Sequence, residues 1–437
     1  MIRVYKLFGL LFGVFVVNLT LCDAVDLKKG KLIAASVIFR HGDRTPVEPY
    51  PTDPYKDPKF WPVGFGQLTN TGKKQHFELG KWLRKRYNSL VSEKYNPEEM
   101  VVRSTDMDRT LMSALSDLSG FYPPKGVDVW NEEIAWQPIP VHTVPEKLDD
   151  LLAAKKSCPV YDYELKKLYK SPEFKALDKK YKALYKYLTE HTGKKVDCLQ
   201  SVQNIYSCLH IEQIYNFTLP EWTKEVYPSK MYEISGLSFA VKTYTKQLAR
   251  LKTGPLLKEI LNHYKNKTEH ALHPVNETKR NLWIYSAHDT TVANMLNTLG
   301  VFKAIGYHNP PYASSVLFEL IQLQDNYYVQ VYYKNSTEPV LLDLPGCGTL
   351  CPLKQMFEVY KDVLPVNWDE ECTLSLLQMP LDINVEESLS LMTIFGFIAL
   401  MLFVGMIVLI IATVYKRRDY LSEQKWNSLN NDSFIWN

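Results

Sequence analysis

Two arginines flank a histidine immediately after an apolar run near the start of the chain. The run covers residues 32–39, and Arg40, His41, Gly42 and Arg44 follow it. Guanidinium groups suit the bidentate capture of phosphate or carboxylate, and a glycine lets the backbone approach a ligand closely. The pattern indicates an anion site that contains a reactive histidine. The alternative is a purely structural role, in which the arginines form salt bridges at a strand end and the histidine is an ordinary loop residue.

Two later apolar runs also end in side chains that can do chemistry. Residues 100–102 lead to Arg103, and residues 281–286 lead to His288 and Asp289. Such runs are typical of strands buried on both faces of a parallel sheet, whose ligands bind beyond the carboxyl ends of the strands. We therefore expect the strand ends to bring these side chains to the same sheet edge as the first histidine.

Four sequence blocks resemble the histidine acid phosphatases, branch 2 of the histidine phosphatase superfamily. They are RHGDRTP at 40–46, WPVGFGQLT at 61–69, VRSTDMDRT at 102–110 and YSAHDTT at 285–291, in the order of the family. The His-Asp pair in the last block is more similar to acid phosphatases and phytases than to cofactor-dependent phosphoglycerate mutases. The Asp-Arg-Thr-Pro ending of the first block, with a membrane anchor, resembles the lysosomal and prostatic type more than phytases.

The resemblance implies an acid phosphatase that hydrolyses phosphate monoesters without a metal or other cofactor. It makes His41 the nucleophile, through a phosphohistidine that water then hydrolyses, and Asp289 the acid that protonates the leaving alkoxide. The implied phosphate-binding residues are Arg40, Arg44, Arg103 and His288. Positive charge around His41 would keep its imidazole neutral below the ordinary histidine pKa of about 6.5.

Three charged residues within the same blocks are predicted to have structural roles. Asp43 is expected to orient an arginine or to cap the turn that follows it. Asp106 and Arg109 are expected to pair with each other and to cap the next helix. None of the three is assigned to the substrate.

The order of the apolar runs predicts an α/β fold with a mostly parallel central sheet flanked by helices. Between about residues 131 and 235, long stretches rich in Lys, Tyr and Leu dominate, for example residues 161–190. We predict that this segment is a helical cap over the catalytic edge of the sheet. The α/β core then comprises residues 25–130 and 236–388. Residues 316–323 and 327–333 alternate around a polar turn, which predicts an antiparallel hairpin at the margin of the sheet.

Both ends of the chain carry signals for targeting or membrane insertion. Residues 1–24 combine basic residues, a short apolar run and a small residue for cleavage, which is typical of a secretory signal peptide. Residues 389–415 carry no charge and are long enough to span a bilayer. Basic residues 416–418 follow, which places the tail 416–437 in the cytosol. We therefore expect a type I membrane protein whose residues 25–388 lie in the lysosome or endosome, or at the cell surface. Release of this part from the membrane by shedding is a further alternative.

Six cysteines remain after the signal peptide, in a compartment that favours disulfides. Six cysteines allow fifteen pairings, so the sequence alone does not choose among them. The resemblance implies two pairs, Cys158 with Cys372 and Cys347 with Cys351. Cys198 and Cys208 remain as a third pair, which departs from the mammalian members. A metal site is disfavoured, because no cysteine pair at two-residue spacing or histidine cluster accompanies them.

Four lumenal sequons predict N-glycans on surface loops. The acceptors are Asn216, Asn266, Asn276 and Asn335. A formal net charge of +3 over 437 residues gives no indication of a nucleic-acid partner. The expected partners are a phosphate monoester, the membrane and, from the resemblance, a second copy in a homodimer.

Two other functions fit the same fold. A non-catalytic surface receptor would be marked by loss of a phosphate-binding arginine, the nucleophile or the acid, and all of these are present. A phosphatase specialised for a lysophospholipid phosphate fits a domain held near a bilayer. Such an enzyme would strongly prefer a lipid phosphate over a small aryl phosphate.

Overall fold

The computed structural model describes residues 30–270, 279–335, 338–374 and 385–431. The chain divides into two compact units, with the boundary between Thr373 and Leu374. The first unit contains a central sheet, and the second contains one long helix. The signal peptide predicted for residues 1–24 lies outside the described residues.

A mixed sheet of eight strands lies at the centre of the first unit. The strands are β1 (Lys31–Arg40), β2 (Met100–Thr105), β3 (His142–Val144), β4 (Leu282–Ala287), β5 (Ser315–Leu323), β6 (Asn326–Lys334), β7 (Val340–Leu341) and β8 (Cys351–Pro352). Their order is β3-β2-β4-β1-β5-β6-β7, and β8 pairs with β6. Strands β3, β2, β4 and β1 are mutually parallel, whereas β5 to β8 pair antiparallel. The predicted α/β fold is confirmed, and the antiparallel margin extends beyond the predicted hairpin β5–β6.

Helices cover both faces of the sheet. In chain order, the α-helices described in the first unit, including those of the insertion, are α1 (Asn70–Arg86), α2 (Asp108–Phe121), α3 (Pro159–Tyr169), α4 (Pro172–Thr192), α5 (Leu199–Ile214), α6 (Ser229–Val241), α7 (Lys246–Lys252), α8 (Gly254–His270), α9 (Asp289–Thr298), α10 (Leu353–Tyr360) and α11 (Trp368–Glu371). Val37 of β1 lies in an apolar layer with α1 and α2, and Ile38 lies in a second layer with α8 and α9. Because successive strand residues face opposite sides, a strand covered on both faces is apolar throughout.

The segment predicted as a helical cap contains α3 to α5, the first part of α6 and also a strand of the sheet. β3 pairs in parallel with β2, so the helical insertion begins with α3 rather than near residue 131. The stretch 161–190, predicted as helical, forms two helices, α3 and α4. The Ser171 side chain caps α4 by accepting from the Phe174 amide, and Pro172 occupies the first turn.

Two disulfides lie within the described residues, Cys158–Cys372 and Cys347–Cys351, as the resemblance implied. The third predicted pair is wrong, because Cys198 and Cys208 are both free thiols. Cys198 immediately precedes α5 and Cys208 lies near its middle, so helical rise alone separates them by about 15 Å. A disulfide requires Cα atoms within about 7 Å. The Cys208 sulfur instead lies 3.2 Å from the carbonyl oxygen of Glu48.

Among the described residues, the second unit contains the helix α12 (Val385–Asn431). Its segment Thr393–Lys425 is long and apolar enough to cross a membrane and contains an 18-residue window with a mean hydropathy of 3.1. This segment overlaps the predicted span 389–415 and continues into the predicted tail. By length and composition, α12 is a candidate membrane span.

Candidate active site

Three parallel strands end at one edge of the sheet. Arg40, the last residue of β1, pairs with Ala287, the last residue of β4, and β2 lies on the other side of β4. The residues that follow the strands therefore meet: the ring centroids of His41 and His288 are 5.6 Å apart. The predicted meeting of two motifs that are distant in sequence occurs in the structure.

His41 is buried at the centre of this edge, with 1% of its surface exposed. Its Nδ1 lies 2.8 Å from the carbonyl oxygen of Gly42. Because a carbonyl oxygen only accepts hydrogen bonds, we assign the proton of the neutral ring to Nδ1, which leaves the lone pair on Nε2. Burial and then the charge of Arg40 lower the pKa of His41 well below its ordinary value, so the ring stays neutral in acid.

The backbone after His41 crosses the first turn of α1 at a distance that glycine permits. A Cβ atom on Gly42 would lie 2.4 Å from the carbonyl oxygen of Gly72, and a Cβ atom on Gly72 would lie 2.3 Å from that of Asp43. Buried His76 of α1 adds a hydrogen bond to this segment, with its Nε2 3.1 Å from the carbonyl oxygen of Arg40. Helix α1 therefore fixes the backbone position of the histidine.

Arg40 is held on several sides. Its Nη2 lies 3.1 Å from Oδ2 of Asp289, and its Nη1 donates to the carbonyl oxygen of Pro310 at 2.5 Å. The guanidinium carbon also lies 4.1 Å from the ring centroid of Tyr312. These contacts fix the plane of the guanidinium group, which is the property that bidentate phosphate recognition needs.

Arg44 and Arg109 complete a group of three guanidinium groups around the histidine. Arg44 is buried and donates from Nη1 to the carbonyl oxygen of Thr45 at 3.0 Å. Within the described residues Arg109 forms no ion pair, and its Nη2 contacts the sulfur of Met107 at 3.3 Å. Burial and then the charge of Arg44 lower the pKa of Arg109 to about 10. Cations held so close together favour an anionic ligand between them.

Arg103, predicted to bind phosphate, is committed to a buried carboxylate. Its Nη2 lies 3.1 Å from Oδ1 of Asp149. Asp149 is fully buried and also accepts three backbone amides of the turn that follows it. The arginines whose charges lower the pKa of His41 do not include Arg103. The structure therefore replaces Arg103 with Arg109 as the third cation of the site.

His288 contacts the end of β2. Its Nε2 is 3.0 Å from Oγ1 of Thr105, and the same hydroxyl lies 2.8 Å from Oγ1 of Thr110. Burial and then the charge of Arg109 lower the pKa of His288 to about 3. A neutral His288 can donate one hydrogen bond to a phosphoryl oxygen from the ring nitrogen that carries its proton.

Asp289 is the first residue of α9 and faces the arginines. Burial raises the pKa of Asp289, but the charges of Arg40 and Arg44 outweigh burial and hold the pKa below its usual value. Its Oδ1 also accepts the backbone amide of Thr290 at 2.8 Å. The carboxyl group is thus placed at the site but ion-paired, so its use as an acid requires a change in its surroundings.

Asp43 connects the site to the helical cap. Its Oδ2 accepts hydrogen bonds from Oγ1 of Thr69 at 2.5 Å and from the hydroxyl of Tyr215 at 3.1 Å. Thr69 caps the N-terminus of α1, and Tyr215 directly follows α5. Asp43 has a structural role, as predicted, but through these two hydroxyl groups rather than through an arginine.

The sequence interpretation missed three residues of the site: Thr105, Arg109 and Tyr312. The predicted pairing of Arg109 with Asp106 is wrong, since Asp106 is exposed and α2 begins without a side-chain cap at Met107. Arg109 lay in a block that was recognised, but spacing did not show which of its two arginines faces the site. No sequence signal pointed to Tyr312.

The site can bind a tetrahedral phosphoryl group and attack it. Three guanidinium groups and one neutral imidazole offer donors to its oxygens, and the unprotonated Nε2 of His41 is a nucleophile. Within the described residues, no group of three or more His, Cys, Asp or Glu side chains could hold a metal ion. The groups present are suited to phosphoryl transfer to nitrogen.

The family model of the histidine phosphatase superfamily (branch 2) matches residues 31–334, and the chain belongs to this family. It is 43% identical to prostatic acid phosphatase of Bos taurus over 347 residues, which cover 78% of this chain and 87% of that protein. It is 39% identical to lysosomal acid phosphatase of Xenopus laevis over 399 residues, 89% of each protein. Hafnia alvei phytase in complex with myo-inositol hexakis sulphate shares the fold, with a TM-score of 0.57, 17% identity and coverage of 79% of this chain and 99% of that chain.

Proposed function

We propose that this protein is an acid phosphatase that hydrolyses phosphate monoesters through a phosphohistidine on His41, without a metal. The observation that carries the proposal is the buried His41, whose Nδ1 lies against the carbonyl oxygen of Gly42 and whose pKa is lowered by the charges of Arg40, Arg44 and Arg109. The prostatic and lysosomal acid phosphatases to which the chain is similar support the reaction class.

In the first step the lone pair of His41 Nε2 forms a bond to phosphorus. Arg40, Arg44 and Arg109 stabilise the negative charge on the phosphoryl oxygens, and His288 donates a further hydrogen bond. The bond from phosphorus to the ester oxygen breaks in line with the attack. Asp289 gives its proton to that oxygen, so an alcohol leaves.

Asp289 must be protonated before this step, although its ion pair with Arg40 favours the carboxylate. A phosphate dianion that binds the guanidinium group of Arg40 would weaken this ion pair and add a negative charge beside the Asp289 carboxylate. Both effects raise the pKa of Asp289. Substrate binding thereby produces the acid, and low pH favours the protonated form.

In the second step water attacks the phosphorus atom and the bond to Nε2 breaks. Asp289, now a carboxylate, takes one proton from the water and returns to its starting state. Inorganic phosphate leaves, and His41 regains its neutral form. The same carboxyl group serves as acid and then as base.

The test is release of phosphate from an aryl phosphate between pH 3 and 9 in the presence of a metal chelator. Activity that peaks in acid, resists chelation and disappears in His41→Ala would support the proposal. A folded His41→Ala variant with unchanged activity would refute it. The exposed His142→Ala is the matched control and should retain full activity.

We further propose a type I orientation with the first unit in the lumen or outside the cell. The apolar segment of α12 and the basic residues 416–418 support it. Three predicted glycan acceptors, Asn216, Asn266 and Asn335, are exposed, while Asn276 lies outside the described residues. Removal of N-glycans should lower the apparent mass, and a tag placed after Asn437 should be digested by protease only after permeabilisation.

We propose finally that the first unit forms a homodimer. The segment around the first 3-10 turn after α2 exposes four apolar side chains, Val127, Val129, Trp130 and Ile134. A cluster of exposed apolar side chains on the surface of a soluble domain is typical of a protein–protein interface. Trp130→Glu should convert a dimer to a monomer in analytical ultracentrifugation, whereas a wild-type monomer would refute the proposal.

A further inference from the structure

Two carboxyl groups lie buried together beneath the loop that follows the first motif. Asp53 of this loop, residues 47–62, is 1% exposed, and Glu212 of α5 is fully buried. The two side chains are within hydrogen-bonding reach of each other. Oδ1 of Asp53 accepts the Tyr55 amide at 2.7 Å, but Oδ2 and both oxygens of Glu212 have no donor within the described residues.

The pair needs a proton to be satisfied. Two carboxylates only accept hydrogen bonds, whereas one carboxylic acid can donate to a neighbouring carboxylate. Burial raises the pKa of both groups, and burial together with the charge of Asp53 raises the pKa of Glu212 to about 8. The pair therefore retains one shared proton across the acid range.

The other titratable groups around the pair come from the loop, from α5 and from the segment before α6. The groups that face it are Tyr50, Tyr55 and Lys56 from the loop, Cys208 from the preceding turn of α5 and Tyr227 from the segment before α6. Burial raises the pKa of Cys208 to about 12 and raises those of Tyr50 and Tyr227. Lys56 donates to the carbonyl oxygen of Pro51 at the surface, and its charge opposes the rise in the pKa of Asp53 without outweighing burial.

The loop and α5 also touch the candidate active site. The loop continues directly from Arg44 through Thr45 and Pro46, and Arg44 lies close enough to Cys208 to affect the pKa of its thiol. At the other end of the loop, the ring of Trp61 lies 5.3 Å from that of Tyr215, which bonds to Asp43. A change in how the loop packs on α5 therefore reaches the phosphate-binding arginine.

We propose that Asp53 and Glu212 share a proton that fastens the 47–62 loop to α5 and thereby positions Arg44, and that loss of this proton releases the loop as the pH rises. The two carboxyl groups act as positioning residues and do not touch the substrate. The consequence for catalysis rests on the proposed phosphatase function, whereas the consequence for the loop does not.

The sign of the pH dependence follows from the raised pKa. A carboxyl group in a released loop has a pKa of about 4.3, so closure of the loop takes up one proton between that value and the raised one. The closed form is fully favoured below about pH 4.3. Above it, the ratio of closed to open loop falls by up to about tenfold per pH unit until the raised pKa is reached.

Hydrogen exchange of the full chain at several pH values tests the loop directly. After correction for intrinsic exchange, protection of the amides of residues 47–62 should fall by up to about tenfold per pH unit between pH 5 and 8. Glu212→Gln should abolish this fall, because its amide donates to Asp53 at every pH. Glu221→Gln, whose side chain is 84% exposed, is the matched control and should behave as the wild type.

Kinetics with an aryl phosphate tests the coupling to the site. The KM of the wild type should exceed that of Glu212→Gln by several-fold at pH 7.5 and match it at pH 5. Wild-type protection that does not change with pH would overturn the proposal, as would a Glu212→Gln profile equal to that of Glu221→Gln. If Glu212→Gln does not fold, Asp53→Asn and the wild-type exchange profile decide the question. Absence of phosphatase activity would refute the proposed function and leave the exchange result to judge the loop.

Discussion

One hydrogen bond and three cations give His41 its chemistry. The bond from Nδ1 to the Gly42 carbonyl oxygen directs the lone pair of Nε2 outward, and burial with the neighbouring arginines keeps the ring neutral. An unperturbed histidine would be mostly protonated at pH 5 and unable to attack phosphorus. In the proposed mechanism the arginines therefore bind the phosphoryl group and also extend the working range of His41 into acid.

Removal of Arg109 should reduce catalysis strongly. Arg109→Gln takes away one of three cations that stabilise the transition state, and loss of one such donor typically costs about 10²–10³ in rate. We expect a fall of about that size in kcat/KM for an aryl phosphate, measured in steady state at pH 5.

Arg103→Gln is the informative comparison, because Arg103 comes from the same sequence block. Breaking its bond to buried Asp149 should lower the melting temperature by several degrees. Its kcat/KM per folded molecule should stay within about tenfold of the wild type. The opposite ranking, with Arg103→Gln the less active variant, would restore Arg103 to the site.

The pH profile should respond to Arg109 in a defined direction. The charge of Arg109 contributes to the low pKa of His41, so its removal raises that pKa. Protonated His41 cannot attack, and the acid limb of kcat/KM should therefore move to higher pH in Arg109→Gln. An acid limb at an unchanged or lower pH would contradict the assignment of that limb to His41.

At the scale of the elements, the sequence predicted the strands that carry the site and not every side chain that faces it. β1 and β4 were predictable because both are largely apolar and are followed at once by charged residues and histidines. The choice between Arg103 and Arg109 depends on Asp149, a partner 46 positions away from Arg103 that no periodicity indicates. Cys198 and Cys208 were predicted to pair because the other four cysteines had been assigned to two disulfides. The rise along α5 keeps the two residues too far apart for a bond.

The contact between α1 and the residue after His41 should not tolerate a side chain. Gly72→Ala would place a Cβ atom 2.3 Å from a backbone oxygen, so the backbone must shift. We expect a loss of stability of about 1–3 kcal/mol in denaturant unfolding, together with reduced activity. Gly64→Ala, whose Cβ would meet only Gln67 Cγ at 3.8 Å, should leave both nearly unchanged.

Thiol counting tests the free cysteines. The purified chain without its signal peptide, denatured but not reduced, should react at two thiols, those of Cys198 and Cys208. The native chain should react more slowly at buried Cys208, because burial raises the pKa of its thiol to about 12 and only the thiolate reacts. A count of zero in the denatured chain would show that the two are paired after all.

At the scale of the whole molecule, an α/β domain of the histidine phosphatase superfamily precedes a helix that can span a membrane. The domain brings together the groups on which the proposed phosphoryl transfer to His41 depends, which argues against a receptor that only kept the fold. A helix able to span a membrane also keeps the lipid-phosphate alternative open to experiment, through comparison of a lysophospholipid phosphate with an aryl phosphate.

The most direct test of the central claim is to trap the covalent intermediate. The protein is mixed with a radiolabelled aryl phosphate at pH 5, quenched in alkali, where phosphohistidine survives, and analysed by peptide mass spectrometry. We predict label on His41 in the wild type, accumulation of that label in Asp289→Asn when the leaving group is good, and no label in His41→Ala. Turnover without any labelled histidine, or label on another residue, would contradict the phosphohistidine mechanism.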